Sequence, residues 1–119
     1  MGVIRVNDEL FGGGCEIIQF GAGTGTKSRT FELPKTPKLV IMNYFEGNND
    51  NGWGSQYTLI WGSPRAYGTA HGSAPTIGGE IKDVSVSYGA DGKSFTITAT
   101  NDGSALNYGT GHGFMFVIY

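Results

Sequence analysis

Residues 80–100 read "EIKDVSVSYGADGKSFTITAT" and decide the fold class of the chain. Val84, Val86 and Tyr88 alternate with Asp83, Ser85 and Ser87. After a short break, Phe95, Ile97 and Ala99 alternate with Ser94, Thr96, Thr98 and Thr100. A period of two places successive side chains on opposite faces of a strand, one toward a core and one toward water. The connector Gly89-Ala90-Asp91-Gly92 supplies residues that tolerate positive φ, so the two runs read as a β-hairpin.

The rest of the chain extends the same pattern. Candidate strands fall at residues 3–6, 16–20, 28–33, 38–45, 57–61, 81–88, 94–100 and 114–119. No segment carries apolar residues at three-and-four spacing over several turns, so helices are not expected. Glycine occurs 21 times in 119 residues, far above the usual share of about 7%. These glycines are interleaved with aromatics, without the strict period of collagen, and mark turns and unusual backbone conformations. The expected fold is all-β, an antiparallel β-sandwich of about 6–8 strands with long Gly-rich loops. Length predicts a single domain overall. Within it, residues 1–20 read as N-terminal strand or strands and a connection to a preceding region, and residues 21–119 as the sandwich.

Some strands are apolar on both faces. "KLVIMNYF" sets Leu39 and Ile41 on one side and Val40, Met42 and Tyr44 on the other. "QYTLIWG" sets Tyr57, Leu59 and Trp61 against Ile60, and "GFMFVIY" is apolar throughout. An antiparallel strand of this kind needs cover on both faces. Either a second copy of the chain supplies the second cover, or these strands lie centrally in a thick single-chain core.

Eight basic and ten acidic residues give a formal net charge of -2, with no basic stripe. Nucleic acid and anionic membrane are therefore not expected partners. The single cysteine, Cys15, excludes an internal disulfide. Its neighbour Glu16 disfavours a thiolate, so packing is the expected role. No apolar run is long enough for a transmembrane helix, and no basic-then-apolar segment opens the chain. A protein with this sequence that acts outside the cell would leave by another route or belong to something longer.

"FGAGTGTKSRTFEL", residues 20–33, imitates a phosphate-binding loop but lacks its parts. Thr26 stands where the glycine before the lysine is required, and no helix follows Lys27. Arg29 to Leu33 alternate as a strand, and Pro34 and Pro37 close off any helix whose N-terminus would hold an anion. Lys27 reads as a solvated charge.

Residues 46–56, 62–79 and 101–113 form long irregular stretches. Loops of such length in compact domains are usually functional or disordered. Their aromatic content argues for ordered recognition loops on a rigid scaffold. Trp53, preceded by Asn48, Asn49, Asp50 and Asn51, combines a flat apolar ring with side chains that both donate and accept. That is the chemistry of saccharide binding, although Trp53 folding back to pin its own loop explains the residue equally well. Tyr67, His71, Tyr108 and His112 form a second, weaker set.

Metal and catalytic readings are less well supported. Glu46, Asn48 and Asp50 alternate like calcium ligands, but Asn51 and Tyr57 occupy the positions where an EF-hand has glycine and glutamate. A solvated turn-forming cluster is the simpler reading. His71 and His112 lack partners at zinc-ligand spacing. No Gly-x-Ser-x-Gly elbow occurs, and Glu46 and Asp50 share one loop, so no enzyme and no cofactor is expected.

Gly23, Gly25, Thr26, Arg29, Thr30, Leu33, Pro37, Lys38 and Val40 form a "GxGT…RT…TPK…V" pattern. Together with the closing residues 107–119, this resembles the C-terminal domains of bacteriophage tail fibres and other tail-tip proteins. The middle of the chain carries no such match. The resemblance implies a small β-sandwich, commonly homotrimeric, that binds saccharides or proteins on the bacterial surface, with a related architecture in H-type lectins. None of the binding residues of those lectins aligns here. The expectation is thus a homotrimeric receptor-binding tip domain of a phage tail or tail-like particle, acting extracellularly on a bacterial surface saccharide. Its expected ligand-binding residues are Asn48, Asn49, Asp50, Trp53, Tyr67, His71, Tyr108 and His112. A structural trimerisation module without its own ligand is the alternative, and a small glycan-cleaving enzyme a third.

Overall fold

The computed structural model describes residues 14–46, 53–69, 78–100 and 111–119. Eight strands run in the order β1 (Cys15–Phe20), β2 (Ser28–Glu32), β3 (Leu39–Glu46), β4 (Trp53–Ile60), β5 (Tyr67–Thr69), β6 (Val84–Tyr88), β7 (Ser94–Ala99) and β8 (His112–Ile118). They form a five-stranded sheet ordered β1-β8-β3-β4-β5 and a three-stranded sheet ordered β2-β7-β6. All pairings are antiparallel, so the fold is the all-β sandwich that the alternation predicts.

Burial follows the hairpin reading closely. Val84, Val86, Phe95, Ile97 and Ala99 are buried, whereas Ser85 and Ser87 are exposed. Of the connector's glycines, Gly92 takes positive φ (72°), and the Gly89 N–H donates to the Ser94 carbonyl at 3.0 Å. Facing this sheet, Val40, Met42 and Tyr44 of β3, Tyr57 and Leu59 of β4, and Met115 and Val117 of β8 complete the core. Phe20 bridges the layers, edge-on to Phe31 at 5.0 Å and stacked on Tyr44 at 5.8 Å. The Arg29 guanidinium lies over both the Phe20 and Phe31 rings, 5.0 and 4.9 Å from their centres. Burial lowers its pKa from the ordinary arginine value.

Several boundaries differ from the sequence reading: β6 begins at Val84 rather than Ile81 and β8 at His112 rather than Phe114, and three further differences concern β4 and β5. β4 begins at Trp53 rather than Tyr57, because Trp53, Gly54, Ser55 and Gln56 pair with Glu46, Phe45, Tyr44 and Asn43. Cross-strand pairing overrides the loop-like composition there. β5 lies within a stretch expected to be irregular. It is held by Gln56, Tyr57 and Thr58 on one side and by the Tyr67–Glu80 bridge on the other. Trp61 falls just beyond β4 and packs edge-on against Tyr88 at 4.6 Å. The expected strand at residues 3–6 lies outside the described residues.

Candidate functional site

Strand register determines what the outer face of the five-stranded sheet carries. Across β1, β8, β3 and β4, one row of outward positions is Cys15, Ile118, Leu39 and Ile60. The next is Ile17, Phe116, Ile41, Thr58 and Tyr67, which reaches β5. A third is Gln19, Phe114, Asn43, Gln56 and Thr69, and a fourth is His112, Phe45 and Gly54. No Lys, Arg, Asp or Glu occupies any of these positions. The first two rows are mainly apolar, and Ile17 and Ile60 are 63% and 57% exposed.

The smaller sheet shows the opposite character. Its outward rows are Ser28, Thr98 and Ser85, then Thr30, Thr96 and Ser87, and last Glu32 and Ser94. Ser28 and Thr98 share a hydrogen bond of 2.9 Å, and Thr30 and Thr96 one of 2.7 Å. One chain thus presents a hydroxyl-rich face on one side and, on the other, a face with no Lys, Arg, Asp or Glu among its described positions, apolar in its first two rows. The two-faced strands lie in the larger sheet, and no described element covers their outer side. Exposed apolar patches of this kind mark interaction surfaces, and loss of charge is the compositional sign of an interface centre.

The last two rows enclose a depression of about 380 Å³ at one end of this face. Asn43 and Gln56 stand directly opposite each other, flanked by Phe114 on β8 and Thr69 on β5. Phe45 and His112 pair in the next row, their rings 6.1 Å apart and inclined by 50°. Gly54 completes that row without a side chain. A Cβ there would find no heavy atom nearer than the Tyr44 carbonyl oxygen at 3.9 Å, so the glycine leaves the space open. The described lining contains amides, a hydroxyl and aromatic rings, and no charged residue. Such groups accept and donate hydrogen bonds to neutral hydroxyls and offer flat apolar surface beside them.

Chain entries and exits give the same end its character. β1 ends at Phe20, β3 at Glu46 and β5 at Thr69, while β4 starts at Trp53 and β8 at His112, all at this end of the sheet. At the opposite end the Tyr119 N–H donates to the Gly14 carbonyl at 2.9 Å.

Of the residues expected to bind ligand, His112 is exposed and lines the depression. Tyr67 is half-buried in the second row and does not line it. Trp53 opens β4 as the register partner of Glu46, not within a loop. Asn48, Asn49, Asp50, His71 and Tyr108 lie outside the described residues, as does most of the proposed calcium cluster. Among the described residues no group of three or more His, Cys, Asp or Glu side chains is placed to hold a metal ion. Cys15 is half-exposed at the start of β1. Asn43, Phe45 and Phe114 do not stand out in the sequence because strand positions read as scaffold, and Gln56 and Thr69 do not because, within expected loops, they lack an aromatic ring. The available signal was Asn43, a lone amide inside the apolar run "LVIMNYF".

No family model, curated protein or solved structure matches the chain.

Proposed function

We propose that this chain is a receptor-binding tip domain of a phage tail or tail-like particle, recognising a bacterial surface saccharide as a homotrimer. The observation that carries the reading is the depression at the end of the larger sheet where β1, β3 and β5 end and β4 and β8 begin. Neutral amides and aromatic rings line it, and Gly14 and Tyr119 meet at the other end of the sheet. A recognition surface built at strand ends is how a rigid β-scaffold displays a binding site. The tail-fibre-like pattern between Gly23 and Val40 supplies the virion setting, and the absence of charge across the outer face supports self-association.

That same face favours a second reading, a structural trimerisation module with no ligand of its own, since an apolar face needs only another copy. Binding of the whole protein to purified host-envelope polysaccharide, measured alongside sedimentation, separates the two. Saturable binding by an oligomer supports the receptor reading, and an oligomer that binds no envelope material supports the structural one. A stable monomer removes self-association from both.

A further inference from the structure

We infer that the depression over Gly54 is a subsite for a single neutral pyranose residue, read by Asn43 and Gln56 and walled by Phe45 and His112. This rests on the saccharide-binding reading above and specifies its site and ligand class.

The volume of about 380 Å³ lies at the small end of the range of about 300–1,000 Å³ seen for ligand sites. It suits one sugar ring, with the rest of a chain leaving along the open face. Asn43 and Gln56 face each other across β3 and β4, and each side-chain amide both donates and accepts. Sugar hydroxyls also do both, so two opposed amides read hydroxyl positions without needing charge. The Phe45 and His112 rings meet at 50° and form a corner, a shape that holds the C–H face of a ring against one plane and its edge against the other. Phe114, 42% exposed, adds apolar surface on the β8 side.

The ligand class follows from what the described lining leaves out. A carboxylated or phosphorylated sugar is bound through Arg, Lys or clustered N–H donors, and an amino sugar through carboxylates. Among the described residues, no Lys, Arg, Asp or Glu lines the depression. A charged sugar would lose its hydration there without gaining a partner among the described residues. Neutral hexoses and N-acylated hexosamines avoid that cost.

Gly54 supplies the decisive variant. Its outward position has open space above it and ordinary extended φ, so Gly54→Leu fills the depression without displacing the core. The probes are methyl glycosides of neutral hexoses, N-acetylhexosamines and uronic acids, titrated into the intact protein and followed by NMR of the side-chain amides. The expected result is that at least one neutral glycoside shifts the Asn43 and Gln56 amide signals. Gly54→Leu and the exposed-site variant Gln56→Ala should each weaken its binding about tenfold or more, with melting temperature and sedimentation unchanged. Should Gly54→Leu unfold, Gln56→Ala decides alone. Undiminished binding in the folded variants overturns the subsite but leaves the receptor reading standing. Binding restricted to uronides overturns the neutral class. A wild-type protein that binds neither the glycosides nor envelope polysaccharide overturns both subsite and receptor reading.

Discussion

The Tyr119 hydroxyl donates its hydrogen to the Glu16 carboxylate at the margin of the larger sheet. The Lys35 ammonium lies 4.8 Å from the centre of the same ring. Burial, then the hydrogen bond and negative charge of Glu16, push the phenol well above its ordinary range. A phenol held protonated in the fold but released in the unfolded chain contributes stability that is complete below about pH 10. That stability is lost as pH rises further, because the folded state then binds more protons than the unfolded one. Thermal melts should therefore show a falling midpoint above about pH 10, with a shallower decline in Tyr119→Phe. At neutral pH the same variant loses a charge-assisted hydrogen bond and should be less stable by about 1–2 kcal/mol.

The acid limb has a different origin. Asp91 accepts hydrogen bonds from the Lys93 N–H at 2.9 Å and the Ser94 hydroxyl at 3.3 Å, closing the β6–β7 turn. The Lys93 N–H is the main cause holding its carboxyl below the usual range. A lowered pKa contributes stability above the unfolded value near 3.9, and this is lost as pH falls through the folded one. Asp91→Asn, which keeps an acceptor without the charge, should flatten the dependence of melting temperature on pH below about 4. An unchanged acid limb would assign it to other carboxylates.

Two glycines on the larger sheet should respond oppositely to a single methyl group. A Cβ on Gly113 would press into the Asn43 carbonyl and come within 2.8 Å of the Phe20 ring, which fills that space between the layers. Gly113→Ala should destabilise by about 2 kcal/mol, a drop of roughly 10 °C in melting temperature for a domain of this size. Gly54→Ala meets open space and should stay within about 0.5 kcal/mol of wild type. Equal effects at the two sites would contradict the register that sends one inward and the other outward.

Ile17 and Ile60 test the outer face. Both are mostly exposed within one chain, so Ile17→Lys and Ile60→Lys should leave the fold nearly unchanged, within about 0.5 kcal/mol at low concentration. A lysine in an apolar contact between copies needs a partner that the face does not offer. If copies associate through this face as proposed, the wild type sediments as an oligomer and the double variant as a monomer. A wild-type-like sedimentation profile in the double variant would place the contact between copies on another surface.

Architecture was legible in the sequence wherever one face of a strand met the core and the other met water. Ser85 and Thr98 alternating with Val84 and Ile97 fixed a period that only a strand satisfies. Legibility failed where cross-strand pairing replaced composition as the deciding force. Trp53, Gly54 and Ser55 look like a loop until the β3 residues that pair with them are known, and Tyr67, Gly68 and Thr69 are too few to show a period. The candidate depression was hidden for a related reason. Asn43, Gln56 and Thr69 are distant in sequence and meet only through the register of three strands, whereas loop aromatics announce themselves in any reading of the chain. His112 is conspicuous in the sequence between small residues, and it opens β8 and lines the depression.

The meeting of Gly14 and Tyr119, joined by a single backbone hydrogen bond, makes the sandwich a cassette with one seam. The segment of residues 14–119, spliced into a surface turn of a host protein through Gly14 and Tyr119, would need only a short spacer on either side. Its depression would face away from the splice. A scaffold that receives and presents at opposite poles lends itself to display libraries, in which the strand-end residues are varied while the seam and core are left alone.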